Sequence, residues 1–289
     1  MNHSASPDPR FTLFRPDLAA DGLQGTVDAT RYVKGAPREI ITDTAPLRRL
    51  PRADARLLTE GLLGESFTVL EEREGWAWGQ LGVDDYVGYA PAAALGAPTL
   101  AKTHMVRALR TYIYPAPDLK SPPLALVSLG ARISAGAASG DYLEVPGQGF
   151  IFADHLALLG DWADDFVAVA EQFLGTPYYW GGRTSLGLDC SALIQLSLAT
   201  IGVAASRDTD VQELALGVEV AKNCAAASLP NDLRRGDLVF WRGHVGVMLD
   251  AGRLLHANAA HMQVAIEPLV RATARIEARD GPVSSIRRF

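Results

Sequence analysis

A change in sequence pattern near residue 160 constrains the fold of this chain more than any other feature. Between residues 31 and 160 the apolar residues fall in short strand-like runs that Gly, Pro and Asp interrupt. Beyond residue 160 they recur first at helical spacing and then again in short runs. Many short strands without long helices predict small β-barrels, whereas helices followed by strands predict an α+β domain.

A weak internal repeat divides the β-rich half into two segments. Leu63 with Gly64 recurs as Leu129 with Gly130, and further features follow in the same order at offsets of 61 to 66 residues. This is about the length of one SH3-like barrel, although chance similarity between β-rich segments is the alternative. The predicted divisions are an N-terminal arm over residues 1–30, a first barrel over residues 31–98 and a second barrel over residues 99–160.

The remaining segment, residues 161–289, begins with two predicted helices. Asp161 is expected to cap the first, whose apolar residues recur at i, i+4, i+7 and i+11 from Trp162, and Gly175 is expected to stop it. The second begins at Cys190 and closes at Gly202. The predicted strands that follow are residues 237–241, 244–249 and 253–257.

Charge and cysteine content narrow the classes of function. Lys and Arg total 27 against 33 Asp and Glu, a net charge of −6 without a basic cluster, so a nucleic-acid partner is not expected. The two cysteines, Cys190 and Cys224, form no C-x-x-C pair. No apolar run approaches the roughly 18–20 residues of a membrane span, and no secretory signal can be read. We therefore expect a cytoplasmic protein without a membrane partner.

Cys190 is the candidate nucleophile. It opens a predicted helix, where the positive end of the helix dipole lowers the pKa of a thiol. The alternative is a small buried apolar residue, which is the only interpretation for Cys224. A thiolate nucleophile needs a base that titrates in a useful range, and His244 and His256 are the candidates.

A count along the predicted hairpin indicates whether these histidines meet. If Asp250–Gly252 is a three-residue loop with Gly252 in the left-handed conformation, Gly246 faces His256. Because side chains alternate, His244 is then a diagonal neighbour of His256 on the same face, within roughly 7 Å. A two-residue loop would shift the register by one residue and separate the rings.

Five ordered motifs carry a resemblance to a known family. They are GTPYYWGG at residues 175–182, LDCSAL at 188–193, RGDLVFW at 235–241, GHVG at 243–246 and LHA at 255–257. In order and spacing they resemble the NlpC/P60 family of cysteine peptidases. The preceding segments resemble the bacterial SH3 domains of its γ-D-glutamyl-L-diamino-acid endopeptidase branch, which is dipeptidyl-peptidase VI-like. The resemblance implies an α+β, papain-like NlpC/P60 catalytic domain preceded by two small all-β SH3-like barrels.

The resemblance also implies an activity. Cys190 would attack the γ-D-glutamyl bond to a diamino acid, usually meso-diaminopimelate, in short cell-wall peptides, and no cofactor or metal would be needed. His244 would act as base and then acid, and His256 would orient it. Tyr178 would assist the oxyanion, with simple aromatic packing as its alternative. The implied partner is a muropeptide such as L-Ala-γ-D-Glu-diaminopimelate with a free N-terminal L-Ala, and the expected role is peptide recycling.

Further residues are implied in binding this substrate. The set is Asp189, Ser191, Asp208, Thr209, Glu65 and Tyr86. The Asp189 carboxylate suits the substrate's ammonium group, and Thr209 replaces a family serine while keeping the hydroxyl. Glu65, or alternatively Glu60, and Tyr86 are expected to hold the L-alanyl amine from the first barrel; an exposed turn residue and a strand aromatic are the alternatives.

Three other functions fit parts of the pattern. The same Cys-His pair could serve a thiol amidase or acyltransferase that passes the acyl group to a nucleophile other than water. A cell-wall binding protein without catalysis is the second, which an intact set of Cys190, His244 and His256 argues against. A zinc site formed by the two histidines and His261 is the third, and its spacing fits no standard ligand pattern.

Overall fold

A computed structural model describes residues 7–289, and the chain divides into two compact units after Leu159. Residues 1–6 of the predicted arm lie outside the described residues. Over the described part of the chain, no helix is long and apolar enough to cross a membrane.

The first unit consists of short strands. In chain order they are β1 Phe14–Arg15, β2 Leu18–Ala20, β3 Tyr32–Val33, β4 Ala36–Ile40, β5 Thr44–Arg48, β6 Leu57–Leu62, β7 Ser66–Arg73, β8 Trp76–Leu81, β9 Val87–Pro91, β10 Leu95–Gly96, β11 His104–Val106, β12 Arg110–Tyr114, β13 Ala125–Ser128, β14 Arg132–Ile133, β15 Ala138–Ser139, β16 Tyr142–Val145, β17 Gly149–Phe152 and β18 Leu156–Leu158. The short apolar runs between residues 31 and 160 fold as strands, as predicted, although some of the predicted runs extend one residue beyond the observed strand.

The predicted repeat is visible in the order of the strands. One sheet has the order β10-β4-β7-β8-β9-β5-β6. Two later sheets have the orders β18-β11-β14 and β15-β16-β17-β12-β13. Placed end to end, they repeat the order of the first sheet, with β14 and β15 together at the position of β7. A three-residue 3₁₀ turn precedes the last strand each time, at Ala92–Ala94 and at Ala153–His155. The weak sequence repeat therefore corresponds to a repeated topology.

The described part of the N-terminal arm packs on the first of these sheets. Leu13 and Leu18 join Trp78 and Val87 in one buried cluster. The guanidinium group of Arg15 lies over the Trp78 ring, 4.4 Å from its centroid. Apolar burial and a cation–π contact therefore hold this segment in place.

The second unit is α+β, as the sequence predicts. Its elements are α1 Phe166–Gln172, β19 Arg183–Thr184, β20 Gly187–Leu188, α2 Cys190–Ala199, α3 Thr209–Ala215, β21 Val218–Cys224, β22 Leu238–Trp241, β23 His244–Met248, β24 Arg253–Asn258, β25 Gln263–Pro268, α4 Leu269–Asp280 and β26 Val283–Arg288. The main sheet has the order β21-β26-β22-β23-β24-β25, and all its pairings are antiparallel. Helix α2 packs against β23 and β24 and so connects the nucleophile to the histidine strands.

The predicted start of the first helix is wrong. Asp165, not Asp161, is the N-cap of α1, and its carboxylate accepts a hydrogen bond of 2.8 Å from the Val167 amide. The preceding turn does not join the helix, since the Ala163 amide bonds the carbonyl oxygen of Thr200 instead. An N-cap side chain accepts a hydrogen bond from an amide two or three residues later. Asp165 makes this bond with Val167 and therefore marks the start of the helix.

Candidate active site

Cys190 is the first residue of α2, as predicted. Asp189 caps this helix, and its carboxylate accepts a 3.0 Å hydrogen bond from the Ala192 amide. The helix is buried from Cys190 through Leu198, and Cys190 itself is 5% exposed. The candidate nucleophile is therefore held on a fully packed helix.

The pKa of the thiol differs from the expectation. Burial raises the pKa of Cys190 to about 12, and the Asp189 charge adds to the effect. The backbone N–H groups of Val245 and Ser191 and the Arg207 guanidinium act in the opposite direction but do not prevail. Desolvation thus outweighs the helix dipole, and the resting thiol is neutral.

The predicted hairpin register is confirmed, although one premise is wrong. Val247 faces Leu255 and the Leu249 amide bonds the Arg253 carbonyl oxygen, so Gly246 lies opposite His256. Gly252 is not in the left-handed region.

The Asp250 side chain closes the loop instead. Its carboxylate accepts hydrogen bonds of 2.9 Å from the amides of Gly252 and Arg253. An aspartate that bonds the amides following it can shape a turn without a positive φ. The three-residue loop length, on which the register depends, is therefore kept.

The two imidazoles form a hydrogen-bonded pair. His244 Nε2 lies 2.8 Å from His256 Nδ1, and the ring centroids are 5.0 Å apart. A Cβ atom on Gly246 would come within 3.1 Å of the His256 Cβ and 2.8 Å of Leu254 Cδ1. Glycine at position 246 therefore leaves room for the His256 ring.

Burial keeps both rings uncharged. It lowers the pKa of His244 to about 3 and also lowers the pKa of His256, which is completely buried. The directions of these pKa shifts therefore favour a neutral thiol and two neutral imidazoles near neutral pH. His244 Nε2 is taken by His256, so His244 Nδ1 is the ring nitrogen that is left for another partner.

Tyr178 is half-buried near the nucleophile. Its amide bonds the Met262 carbonyl oxygen, and its backbone forms a bridge with Leu188, two residues before Cys190. Burial raises the pKa of Tyr178 well above its usual value, and the nearby Cys190 and Asp189 contribute. The Tyr178 hydroxyl therefore stays protonated and can donate a hydrogen bond.

Asp189 and Ser191 belong to a buried network around Arg207. The Arg207 guanidinium donates to both Asp189 carboxylate oxygens at 2.8 and 2.7 Å and to the Ser191 hydroxyl at 2.8 Å. Asp189 also accepts from the amides of Gly181 and Ala192 and from the Ser191 hydroxyl. A carboxylate has about four lone-pair positions. This geometry favours a structural role for Asp189, and its pairing with a substrate ammonium stays a prediction.

We expect Arg207→Lys to lower the free energy of unfolding by about 1–3 kcal/mol, because an ammonium group cannot reproduce the bidentate bond to a buried carboxylate. Arg235→Lys is the matched control. Arg235 pairs with Asp165 and Glu171 on the surface, with 39% of its side chain exposed, and should cost less than about 1 kcal/mol. Chemical denaturation measures both values, and equal losses would contradict the anchoring role of Arg207.

The remaining predicted binding residues belong to the start of α3 and to the first unit. Asp208 is the N-cap of α3 and Thr209 its first residue, and both are half-buried. In the first unit, Glu65 is 4% exposed and accepts a 2.8 Å hydrogen bond from the Leu62 amide. Tyr86 is buried against Phe11, with the ring centroids 5.3 Å apart. Their contact with substrate stays a prediction, as does the alternative with Glu60.

Two residues of the site were missed at the sequence level. His256 Nε2 lies 2.8 Å from Glu267 Oε1, and Glu267 also forms an ion pair with Arg275. The available signal was an acidic residue in an alternating strand on the histidine face: Ala265 faces His256, and Glu267 follows two residues later.

Over the described residues, no group of three or more His, Cys, Asp or Glu side chains is arranged to hold a metal ion.

Two family models match this chain. Residues 175–275, which contain the cysteine and both histidines, match the model described as "NlpC/P60 family". Residues 47–95, in the first unit, match the model described as "Bacterial dipeptidyl-peptidase Sh3 domain".

Curated relatives and a solved structure agree with these matches. The chain is 30% identical over 106 residues to dipeptidyl-peptidase 6 of Lysinibacillus sphaericus, which is 37% of this chain and 36% of that protein. It is 32% identical over 115 residues to gamma-D-glutamyl-L-lysine dipeptidyl-peptidase of Bacillus cereus, which is 37% of this chain and 32% of that protein. The matches thus span about a third of the length of both relatives. The fold is similar to that of a crystal structure of an NlpC/P60 family protein from Bacillus cereus, with a TM-score of 0.72, 20% identity and coverage of 88% and 99% of the two chains.

Proposed function

The chain carries a catalytic domain of the NlpC/P60 family, and on that premise we propose that it hydrolyses the γ-D-glutamyl bond to a diamino acid in short cell-wall peptides. The observation that carries the proposal is the hydrogen-bonded pair of His244 and His256 beside the helix that begins at Cys190. The proposal includes a papain-like catalytic domain and a second SH3-like barrel over residues 99–160, which the repeated strand order supports.

In the proposed reaction, Cys190 Sγ attacks the γ-carbonyl carbon of D-glutamate while the thiol proton moves to His244 Nδ1. The π electrons of the carbonyl move to its oxygen, which accepts hydrogen bonds from the Tyr178 hydroxyl and from N–H groups at the start of α2. The carbonyl then re-forms as the C–N bond to the diamino acid breaks, His244 donates its proton to the leaving nitrogen, and a thioester remains on Cys190. A water molecule attacks the thioester carbonyl carbon as His244 takes one of its protons. The C–S bond then breaks, the carboxylic acid leaves, and the proton returns from His244 to the Cys190 sulfur.

The proposed substrate has a free N-terminal L-alanine followed by γ-D-glutamate and meso-diaminopimelate. Two matched relatives are named as dipeptidyl-peptidases, a class that requires a free amine two residues before the cut. Asp208 and Thr209 are the residues we propose for the diamino-acid side. A free alanyl amine means that the bond before the alanine has already been cut, so the proposal includes a role in peptide recycling.

N-acetylation of the substrate is expected to lower kcat/KM by about a hundredfold or more. The carboxylate of Glu65 or Glu60 would pair with an ammonium group but not with a neutral amide. Acetylation also adds bulk at the position where the substrate amine is proposed to bind. Mass spectrometry of L-Ala-γ-D-Glu-diaminopimelate and of its N-acetylated form, each after incubation with the full chain, measures both rates.

Variants that replace a carboxylate by a carboxamide identify the glutamate that pairs with the substrate amine. Glu65→Gln or Glu60→Gln should reduce the difference between the two peptides, whereas Glu74→Gln, an exposed residue of the same unit, should leave it unchanged. Equal rates of the unmodified enzyme on both peptides would contradict the requirement for a free N-terminal L-alanine. The protein would then be better described as an endopeptidase of intact cell wall.

A further inference from the structure

The hydrogen-bond chain that begins at His244 continues beyond His256. Glu267 Oε1 lies 2.8 Å from His256 Nε2, and the same carboxylate oxygen pairs with Arg275. Glu267 lies on β25 and Arg275 on α4, so two elements outside the five sequence motifs converge behind the imidazole pair. The Glu267 side chain is 12% exposed and His256 is 0% exposed.

We propose that Glu267 is a positioning residue that sets the proton positions on both imidazoles, and that Arg275 orients it and moderates its charge. The proposal deepens the proposed function, since it rests on Cys190 acting as a nucleophile with His244 as its base. It extends the arrangement of one cysteine and two histidines by a carboxylate and a guanidinium group.

The charge on Glu267 fixes the proton positions along the hydrogen-bond chain. An ionised carboxylate only accepts hydrogen bonds, so His256 must carry its proton on Nε2, facing Glu267. In a neutral His256 ring, Nδ1 is then an acceptor, so His244 must donate from Nε2. The lone pair of neutral His244 is thereby left on Nδ1, the atom available to the thiol. Glu267 thus determines which nitrogen of His244 can act as the base.

The surroundings make this control effective. Burial raises the pKa of Glu267, but the hydrogen bond with His256 and the Arg275 charge together keep that pKa below its usual value, so the carboxylate is ionised. His256 is completely buried and has no solvent contact through which water could stabilise another tautomer. The charged or titratable groups that act on the histidine pair are Glu267, Arg275 and His261.

The two flanking charges act on His244 in opposite directions. Glu267 raises the pKa of His244, and Arg275 lowers it. Formation of the imidazolium–thiolate pair during attack should therefore become harder without Glu267 and easier without Arg275. A merely structural loosening would shift both variants in the same direction.

The first test is the pH profile of Cys190 alkylation by iodoacetamide, which needs no peptide substrate. Glu267→Gln should slow alkylation at pH 7 and move the apparent pKa of the profile up, whereas Arg275→Gln should move it down. Glu171→Gln, which removes a surface partner of Arg235 in the same unit, is the matched control and should leave the profile unchanged. Shifts in the same direction for both site variants, or no shift, would overturn the proposal.

The second test reads the tautomers by NMR of ¹⁵N-labelled histidine, where protonated and unprotonated ring nitrogens differ in shift. In the unmodified chain we expect protons on Nε2 of His244 and His256. Glutamine at position 267 can also donate, so Glu267→Gln should give a mixture of tautomers. If Glu267→Gln has a native near-ultraviolet circular dichroism spectrum and unchanged tautomers, Glu267 does not set the proton positions and the proposal is wrong. Glu267→Asp keeps the carboxylate and should restore the native pattern if the Gln variant does not fold.

The third test uses the proposed peptide. Glu267→Gln should lower kcat about tenfold to a hundredfold and change KM by less than about twofold, as expected for a group that acts through another residue. A raised KM at constant kcat would contradict positioning. If the unmodified chain does not cleave this peptide, the proposed substrate fails, whereas the alkylation and NMR results still decide the role of Glu267.

Discussion

Replacement of Cys190 by alanine is expected to lower the hydrolysis of L-Ala-γ-D-Glu-diaminopimelate by about 10⁴-fold or more. The variant loses the atom that forms the thioester, and no neighbouring group can replace it. The protein should still fold, because Cys190→Ala keeps the Asp189 cap and removes one sulfur atom from a packed helix end. Cys190→Ser should be similarly inactive, since the neutral imidazole of His244 must then ionise a far weaker acid than a thiol.

Cys224→Ala is the matched control for this experiment. Cys224 is also buried, at 8% exposure, but it ends the edge strand β21 and packs in the core cluster of the main sheet. Its replacement should leave turnover within about twofold. Intact-mass measurement during turnover should detect an acylated chain for the unmodified protein and for Cys224→Ala only. Near-normal turnover of a correctly folded Cys190→Ala variant would contradict the thiol mechanism.

The geometry of the histidine pair could be predicted because it depends on local rules. Loop length sets hairpin register, and strand alternation then decides which side chains share a face. The three-residue loop brings His244 and His256 together even though Asp250, rather than a left-handed Gly252, closes it. Two turn conformations of one length give the same register, so this error did not affect the site.

The electrostatics of the site could not be predicted in the same way. The position of Cys190 at a helix start is a local fact, whereas its raised pKa comes from elements that are distant in sequence and cover the thiol. Arg207 likewise reaches Asp189 from 18 residues further along the chain. Desolvation is the sum of many long-range contacts, and a sequence pattern with period 2 or 3.6 does not contain it.

Some elements of the fold were missed for a related reason. Strand β21 is an edge strand that is mostly exposed, so its residues lack a continuous apolar face. Glu267 and Arg275 lie on β25 and α4, neither of which was predicted, and their meeting with His256 depends on the packing of that pair of elements. Residues that act through another residue carry a weaker local signal than a nucleophile at a helix cap.

His244→Ala is expected to lower kcat/KM by about 10²–10⁴-fold, because proton transfer to and from the reacting atoms is lost. His256→Ala should cost about tenfold to a hundredfold, since the base remains but its ring is no longer oriented. His261→Ala is the control; its ring bonds the Asn258 side chain and should change the rate by less than about twofold. A loss at His261 comparable to that at His244 would contradict the assigned roles and would favour a site built from three histidines.

The pH dependence tests the same assignment from another direction. Burial lowers the pKa of His244 from 6.5 to about 3. Below pH 6.5 the unfolded chain therefore binds a proton at this position while the folded chain does not, so stability falls as the pH decreases from 6.5 toward 3. His244→Ala removes this contribution and should flatten the acid side of the stability curve.

Between pH 6.5 and about 3, His244 in the folded chain stays neutral and keeps the lone pair that it needs to act as a base. The acid limb of kcat/KM should consequently lie far below pH 6.5, and the raised pKa of Cys190, about 12, moves the limb of the thiol well into alkaline solution. The substrate amine then dominates the profile between these limits. An acid limb centred near pH 6.5, measured with a substrate that does not titrate there, would mean that the imidazole is solvated and that proton transfer begins from a charged ring.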